Sequence, residues 1–152
     1  MREKMLIGFL SVLIVAVFAA GSALAEGKGI SGLPPAVKEM IDKAKASIPK
    51  VSAAEVKAAM DKNEKAFFLD VRDGEEFSAG HVLGAINISR GTLELHVFGK
   101  IPDQSAKIYV YCKASARSAL ATKTLHELGY KNAVLMDASF EEWMNAGYPV
   151  VR

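Results

Sequence analysis

Cys112 is the only cysteine among 152 residues, and its neighbours suit the activation of a thiol. It follows the β-branched and aromatic run Lys107-Ile108-Tyr109-Val110-Tyr111 and precedes Lys113-Ala114-Ser115-Ala116-Arg117-Ser118. The small residues Ala114, Ser115 and Ala116 let the backbone curl until its N–H groups converge, forming an anion nest. A helix opening at Ala116 adds the positive end of its dipole. Arg117 offers a bidentate fork to a tetrahedral oxyanion, and Lys113 with Arg117 favours the thiolate. A thiolate in such a ring attacks sulfur readily, and the same donors would hold the persulfide anion that it becomes. One cysteine suffices for this cycle, whereas a dithiol redox cycle needs a resolving partner. The competing reading is an inert buried cysteine at a strand end, a common setting for a free thiol.

Such a site needs a strand to deliver Cys112 and a helix to receive the loop. The sequence provides both within an alternating series. Pro34-Pro35 opens an amphipathic helix with Val37, Met40, Ile41 and Ala44 on one face and Lys38, Asp42, Lys43 and Lys45 on the other. This helix either lies across the outside of the domain or binds a partner. Ser52-x-x-Glu55 is a capping box for a helix through Val56, Ala59 and Met60. Ala66–Val71 is a short apolar strand, Asp73-x-x-Glu76 caps a short helix ended by Gly80, and Ala85–Ile88 is a second strand. Gly91–Val97 predicts another helical turn, with a loop at Pro102-Asp103. Lys107–Tyr111 is the strongest strand. Ala116–Leu128 is a helix with Leu120, Ala121, Leu125 and Leu128 on one face, and Gly129 ends it. Asn132–Met136 is the next strand. Ser139-x-x-Glu142 caps a last helix, expected to turn Phe140, Trp143 and Met144 inward before Gly147 and Pro149. Strands apolar on both faces and separated by helices predict an α/β fold, a parallel sheet with helices on both faces.

The N-terminus reads as a cleaved secretory signal. Arg2 and Lys4 precede the apolar run Met5–Ala20, and Ala23 and Ala25 occupy the −3 and −1 positions of a cut after Ala25. The expected organisation is a signal over 1–25, a leader and amphipathic helix over 26–48, and the main domain over 49–152. The expected location is periplasmic or secreted, with no stable membrane insertion after cleavage. Removing Arg2, Glu3 and Lys4 with the signal lowers the net charge from +2 to +1. A nearly neutral chain with interspersed signs offers no basic patch for nucleic acid. No metal or organic cofactor is implied.

Three blocks resemble the rhodanese-like domain family, over roughly Pro49 to Arg152. The first is Asp70-Val71-Arg72 with Glu76-Phe77 and Gly80-His81-Val82-x-Gly84-Ala85-x-Asn87-Ile88. The second is Val110-Tyr111-Cys112-x-x-x-x-Arg117-Ser118, and the third is Trp143-x-x-x-Gly147-x-Pro149-Val150. The resemblance implies a compact rhodanese-like fold, with Cys112 as persulfide carrier and Lys113, Ala114, Ser115, Ala116, Arg117 and Ser118 as the substrate cradle. It also implies an architectural ion-pair network of Asp70, Arg72 and Glu76, and His81 as a hydrogen-bonding strut in a turn; His126 falls on the exposed face of its helix, and neither it nor His96 has a role. The reaction implied takes sulfur from a small thiosulfate-like anion to a thiol or cyanide, or to a protein acceptor. A low-turnover sulfur carrier or anion-binding module docking through the Pro34–Ala46 helix is the alternative. Four residues separate Cys112 from Arg117, as in the sulfur-handling members; the related phosphatases and arsenate reductases have five. Ser115 stands where the family often has glycine, and Ala138-Ser139 where it has a glycine pair. If Ser115 adopts positive φ, the strain is of order 1–2 kcal/mol; otherwise its hydroxyl is a further donor to the anion.

Export makes a direct expectation. Mass spectrometry of the purified protein should find a soluble chain beginning at Glu26; full-length protein recovered in the membrane fraction would instead identify a retained anchor.

Overall fold

The computed structural model describes residues 32–152; the predicted signal and most of the leader lie outside them. Among the described residues no helix is long and apolar enough to cross a membrane.

The chain runs α1 (Pro35–Ala46), β1 (Lys50–Val51), α2 (Ala53–Asp61), β2 (Ala66–Asp70), α3 (Gly74–Ala79), β3 (His81–Val82) and β4 (Ala85–Asn87). A 3-10 turn at Arg90–Thr92 leads into α4 (Leu93–Lys100), followed by β5 (Lys107–Tyr111), α5 (Ala116–Glu127), β6 (Ala133–Met136), α6 (Phe140–Asn145) and β7 (Val150–Val151). Five strands form a parallel sheet in the order β1-β6-β5-β2-β4. The fold is the predicted α/β arrangement.

Alternation along the central strands decides what covers each face. Ile108, Val110 and Cys112 join Leu69 and Val71 against Leu93 and Val97 of α4 and Ala121 and Leu125 of α5. Tyr109 and Tyr111 face the other way, with Val134 and Met136, onto Val56 and Ala59 of α2 and Phe140 and Trp143 of α6. Outside α5 lies α1, seated through Ala44 and Ile48 on Ala119 and Leu135. The two capping boxes that start α2 and α6 form as expected, with Ser52 and Ser139 accepting from the N–H groups of Glu55 and Glu142. Gly129 follows α5 at φ +100°, where a Cβ would sit 2.9 Å from Gln104 Nε2.

Several expectations need correction. The turn over Gly91–Val97 is a full helix to Lys100, because Leu93, Val97 and Ile101 bury one stripe. Exposed Leu95 and Phe98 blur that period in the sequence. Met144 points outward, since the six-residue α6 presents only Phe140 and Trp143 to the core. Met40 of α1 is likewise exposed. His81 begins a strand rather than a turn: β3 pairs antiparallel with β7, joining residues far apart in the chain. β1 was also unforeseen; its two residues pair with β6 at the sheet edge.

Trp143 is fully buried and donates its indole N–H to the Pro149 carbonyl at 3.1 Å. Trp143→Ala should destabilise the protein by about 3–5 kcal/mol through the cavity it leaves. A urea titration checks this: the midpoint should fall with an unchanged slope.

Candidate active site

Two adjacent strands leave the sheet in opposite directions. β2 continues to β4 on one side, and β5 to β6 on the other. A crevice at the carboxyl ends of such a pair is where open α/β sheets bind ligands. Asp70 stands opposite Tyr111 in the register, and Val71 N–H donates to the Tyr111 carbonyl at 3.1 Å. The loops opening after the two strands therefore start level. One carries Arg72, Asp73 and Glu76, and the other Cys112 to Ser118.

Cys112 is buried, with 1% of its surface exposed, at the floor of its loop. Ser118, in the first turn of α5, aims both polar hydrogens' donors at the sulfur: its N at 3.4 Å and its Oγ at 3.3 Å. The Ser118 Oγ also lies 3.1 Å from the Ser115 carbonyl, so its single proton chooses between the two acceptors. Ser115 is left-handed, at φ 59° and ψ −11°, and its carbonyl also accepts from Ala119 N–H. Of the two outcomes open for Ser115, the backbone strain is the one realised; its cost is of order 1–2 kcal/mol. Its hydroxyl oxygen accepts from Lys45 Nζ at 2.7 Å, and the same ammonium reaches Asp137 Oδ1 at 2.8 Å. Ala114 and Ala116 are half-buried and Lys113 is exposed, its carbonyl accepting from Phe140 N–H at 3.1 Å.

Across the crevice, Glu76 grips Arg117. Arg117 Nη1 and Nη2 donate to the two Glu76 oxygens at 2.7 and 2.9 Å, and Nη1 lies 3.3 Å from Asp73 Oδ2. Arg117's hydrogen bonds hold the Glu76 carboxyl at about 2, against partial burial, which pushes it up; Asp73 N–H and the Arg72 charge assist. The Glu76 bonds in turn keep Arg117 firmly charged, with burial opposing and the Cys112 sulfur among the smaller contributions in favour.

Deeper in, Arg72 closes a fork on Asp70, with Nη2 at 2.6 Å from Oδ2 and Nε at 3.0 Å from both oxygens. Both residues are buried. Arg72 Nη2 also donates to the Gly80 carbonyl at 2.7 Å, and its guanidinium lies 4.1 Å from the centre of the Phe140 ring. Tyr111 accepts from Val82 N–H at 3.1 Å; burial, then the Asp70 charge, push its phenol far upward. His81 Nδ1 pairs with the Phe77 carbonyl at 2.9 Å, and its ring stacks on Phe77.

The sequence assigned the Arg117 fork to an oxyanion and Glu76 to a network with Asp70 and Arg72. The structure instead bonds Glu76 to Arg117, while Asp70 and Arg72 form a buried pair that meets Glu76 only through the Arg72 charge. Loop spacing could not reveal this, because the partner sits on the other strand's helix. His126 is not on an exposed face: it is half-buried, and its Nε2 pairs with the Ala133 carbonyl at 2.8 Å. Lys45 was placed on the solvent face of α1, yet it reaches the loop; no sequence signal marked it or Asp137. A groove of about 570 Å³ between α1 and α5 is lined by Met40, Lys43, Arg90, Leu120 and others, none of them from the loop. Among the described residues no cluster of His, Cys, Asp and Glu could hold a metal ion.

Residues 52–146 match the model of the rhodanese-like domain family. The chain is 36% identical over 63 residues to the thiosulfate sulfurtransferase PspE of Escherichia coli, covering 41% of this chain and 61% of that protein. It is similar in structure to the polysulfide-sulfur transferase homodimer of Wolinella succinogenes: TM-score 0.66, 29% identity, 76% of this chain and 87% of that one. A Rhodopseudomonas palustris protein described as a possible tyrosine phosphatase superposes with TM-score 0.71 at 28% identity, covering 76% and 93%. The chain spans between 51% and 61% of the length of several curated relatives that it matches.

The Glu76–Arg117 pair gives a pH dependence. Folding lowers the Glu76 carboxyl from 4.5 to about 2, so across that window the unfolded chain binds more protons. This stabilisation is complete above the unfolded value and disappears as pH falls through the folded one. Glu76→Gln should flatten the acid limb of a stability profile measured by circular dichroism; an unchanged limb would mean that the pair contributes nothing to folding.

Proposed function

The chain belongs to the rhodanese-like domain family, and from that premise we propose that it is a sulfurtransferase that carries sulfane sulfur on Cys112. The observation that carries the reading is the pair of Ser118 donors aimed at a buried sulfur, at the point where β2 and β5 diverge. Such donors stabilise negative charge on sulfur, whether thiolate or persulfide.

The donor is a thiosulfate-type anion. The Cys112 thiolate attacks the outer sulfur, a new S–S bond forms, and the old S–S bond breaks with its electron pair leaving on sulfite. A cyanide ion or thiolate then attacks the terminal sulfur of the persulfide. The Cys112–sulfur bond breaks, and its electron pair returns to Cys112 as thiolate. The loop N–H groups other than those of Ala116 and Ser118, with the N-terminal end of α5, bind the oxyanion, and Arg117 supplies charge from the rim while held by Glu76. The four-residue spacing from Cys112 to Arg117 supports sulfur over the phosphate chemistry suggested for the Rhodopseudomonas palustris protein. With residues 1–25 read as a signal, the site works in the periplasm or outside the cell.

A second reading, a persulfide carrier with little turnover, is favoured by one observation: the Arg117 fork is already occupied. Its acceptor would be a partner protein. Counting turnovers separates the two, since a carrier loads once per chain and then waits.

Cys112→Ser decides whether the thiol is the sulfur acceptor. Thiosulfate should add the mass of one sulfur atom to the parent protein, and cyanide should remove it as thiocyanate. The variant should fold normally and do neither. Thiocyanate formed by the variant at the parent rate would overturn the reading.

A further inference from the structure

We propose that Lys45 is a positioning residue for the sulfur-binding loop, clamping Ser115 in its left-handed conformation through an ammonium shared with Asp137. The inference rests on the sulfur-transfer reading and names a residue of the machinery that lies before the family match, which begins at residue 52.

The geometry is that of a built contact between distant parts of the chain. Lys45 lies 70 residues from Ser115 and 92 from Asp137, and its Nζ reaches them at 2.7 and 2.8 Å. Its side chain keeps only 20% of its surface exposed. Both ends of the clamp are fixed. Ala44, beside Lys45, is fully buried with Ala119 of α5 and Leu135 of β6, which seats α1 on the domain. Asp137 donates its backbone N–H to the Val51 carbonyl at 2.9 Å, which ties it to β1. Lys50, at 3.8 Å from the other Asp137 oxygen, adds a looser contact.

Ser115 is the residue that needs such support. A non-glycine residue at φ 59° is strained, and strain persists only where the surroundings over-determine it. The turn at Ser115 sets the direction in which the following N–H groups aim, including that of Ser118 toward the sulfur. Lys45 therefore acts through Ser115 and needs no contact with the donor.

Glycine at position 115 would adopt this conformation without strain and would remove the hydroxyl that Lys45 grips. That makes Ser115→Gly the partner of Lys45→Met in a double-mutant cycle on the full chain. Two rates are measured in each protein: persulfide loading by thiosulfate, followed by mass, and alkylation of Cys112 by iodoacetamide. Lys45→Met alone should slow both about tenfold, the equivalent of about 1.4 kcal/mol. Added to Ser115→Gly, it should change either rate by less than about twofold, because the clamp's only target is gone. An equal loss in both backgrounds, or no loss from Lys45→Met alone, would overturn the proposal. If the parent protein takes up no sulfur from thiosulfate, the functional reading fails, and the alkylation rates still decide the clamp.

Discussion

The pairing of β2 with β5 is the constraint on which the rest depends. Five consecutive register partners, from Ala66 with Lys107 to Asp70 with Tyr111, bring the two carboxyl ends level. Because the next connections diverge, a cleft opens there without any insertion or long loop. Cys112 is the first residue past one strand, and Arg72 is the second past the other. A slip of one residue would turn the sulfur from the α5 face to the opposite face of the sheet. Both hydrophobic layers guard against this, since alternate residues of β5 belong to different cores.

The charged groups divide into two pairs with different work. Asp70 and Arg72 are buried together, and a buried ion pair is tolerated only where hydrogen bonds satisfy both partners. Here Arg72 N–H and the guanidinium saturate Asp70, Gly80 takes a further bond, and Phe140 lies over the cation. Asn87 ties β4 to the same corner by donating to the carbonyls of Asp70 and Arg72. Glu76 and Arg117 sit at the rim, half in water, and join the helices that follow the two strands. Glu76 also accepts from Asp73 N–H at 3.1 Å, so one carboxylate both starts α3 and anchors α5. Contacts across the cleft thus add to those that Ser118 makes within the loop to Cys112 and Ser115.

Much of this was legible in the sequence because it is local. Cys112 at a strand end, the capping boxes at Ser52 and Ser139, and the turn residues Gly80 and Gly129 all act within a few positions of themselves. Burial on both faces of Lys107–Tyr111 sufficed for a parallel sheet. What stayed hidden depends on pairing between remote segments. The two-residue strands at Lys50–Val51 and Val150–Val151 have no pattern of their own and exist only beside their partners. The reach of Lys45 is of the same kind: a lysine on the polar side of an amphipathic helix reads as solvated until its neighbours are known. The helix Leu93–Lys100 was underestimated for a different reason, since Leu95 and Phe98 place apolar groups in water and break the stripe that a reader would follow.

α1 has a further meaning for how the chain holds together. It covers Ala119 and Leu135, residues of the matched domain, with Ala44 and Ile48 from the segment before it. A polypeptide trimmed to the family boundaries would leave those apolar side chains bare and the left-handed turn at Ser115 without its brace. The packed core therefore reaches into α1, ahead of the residues that the family model matches.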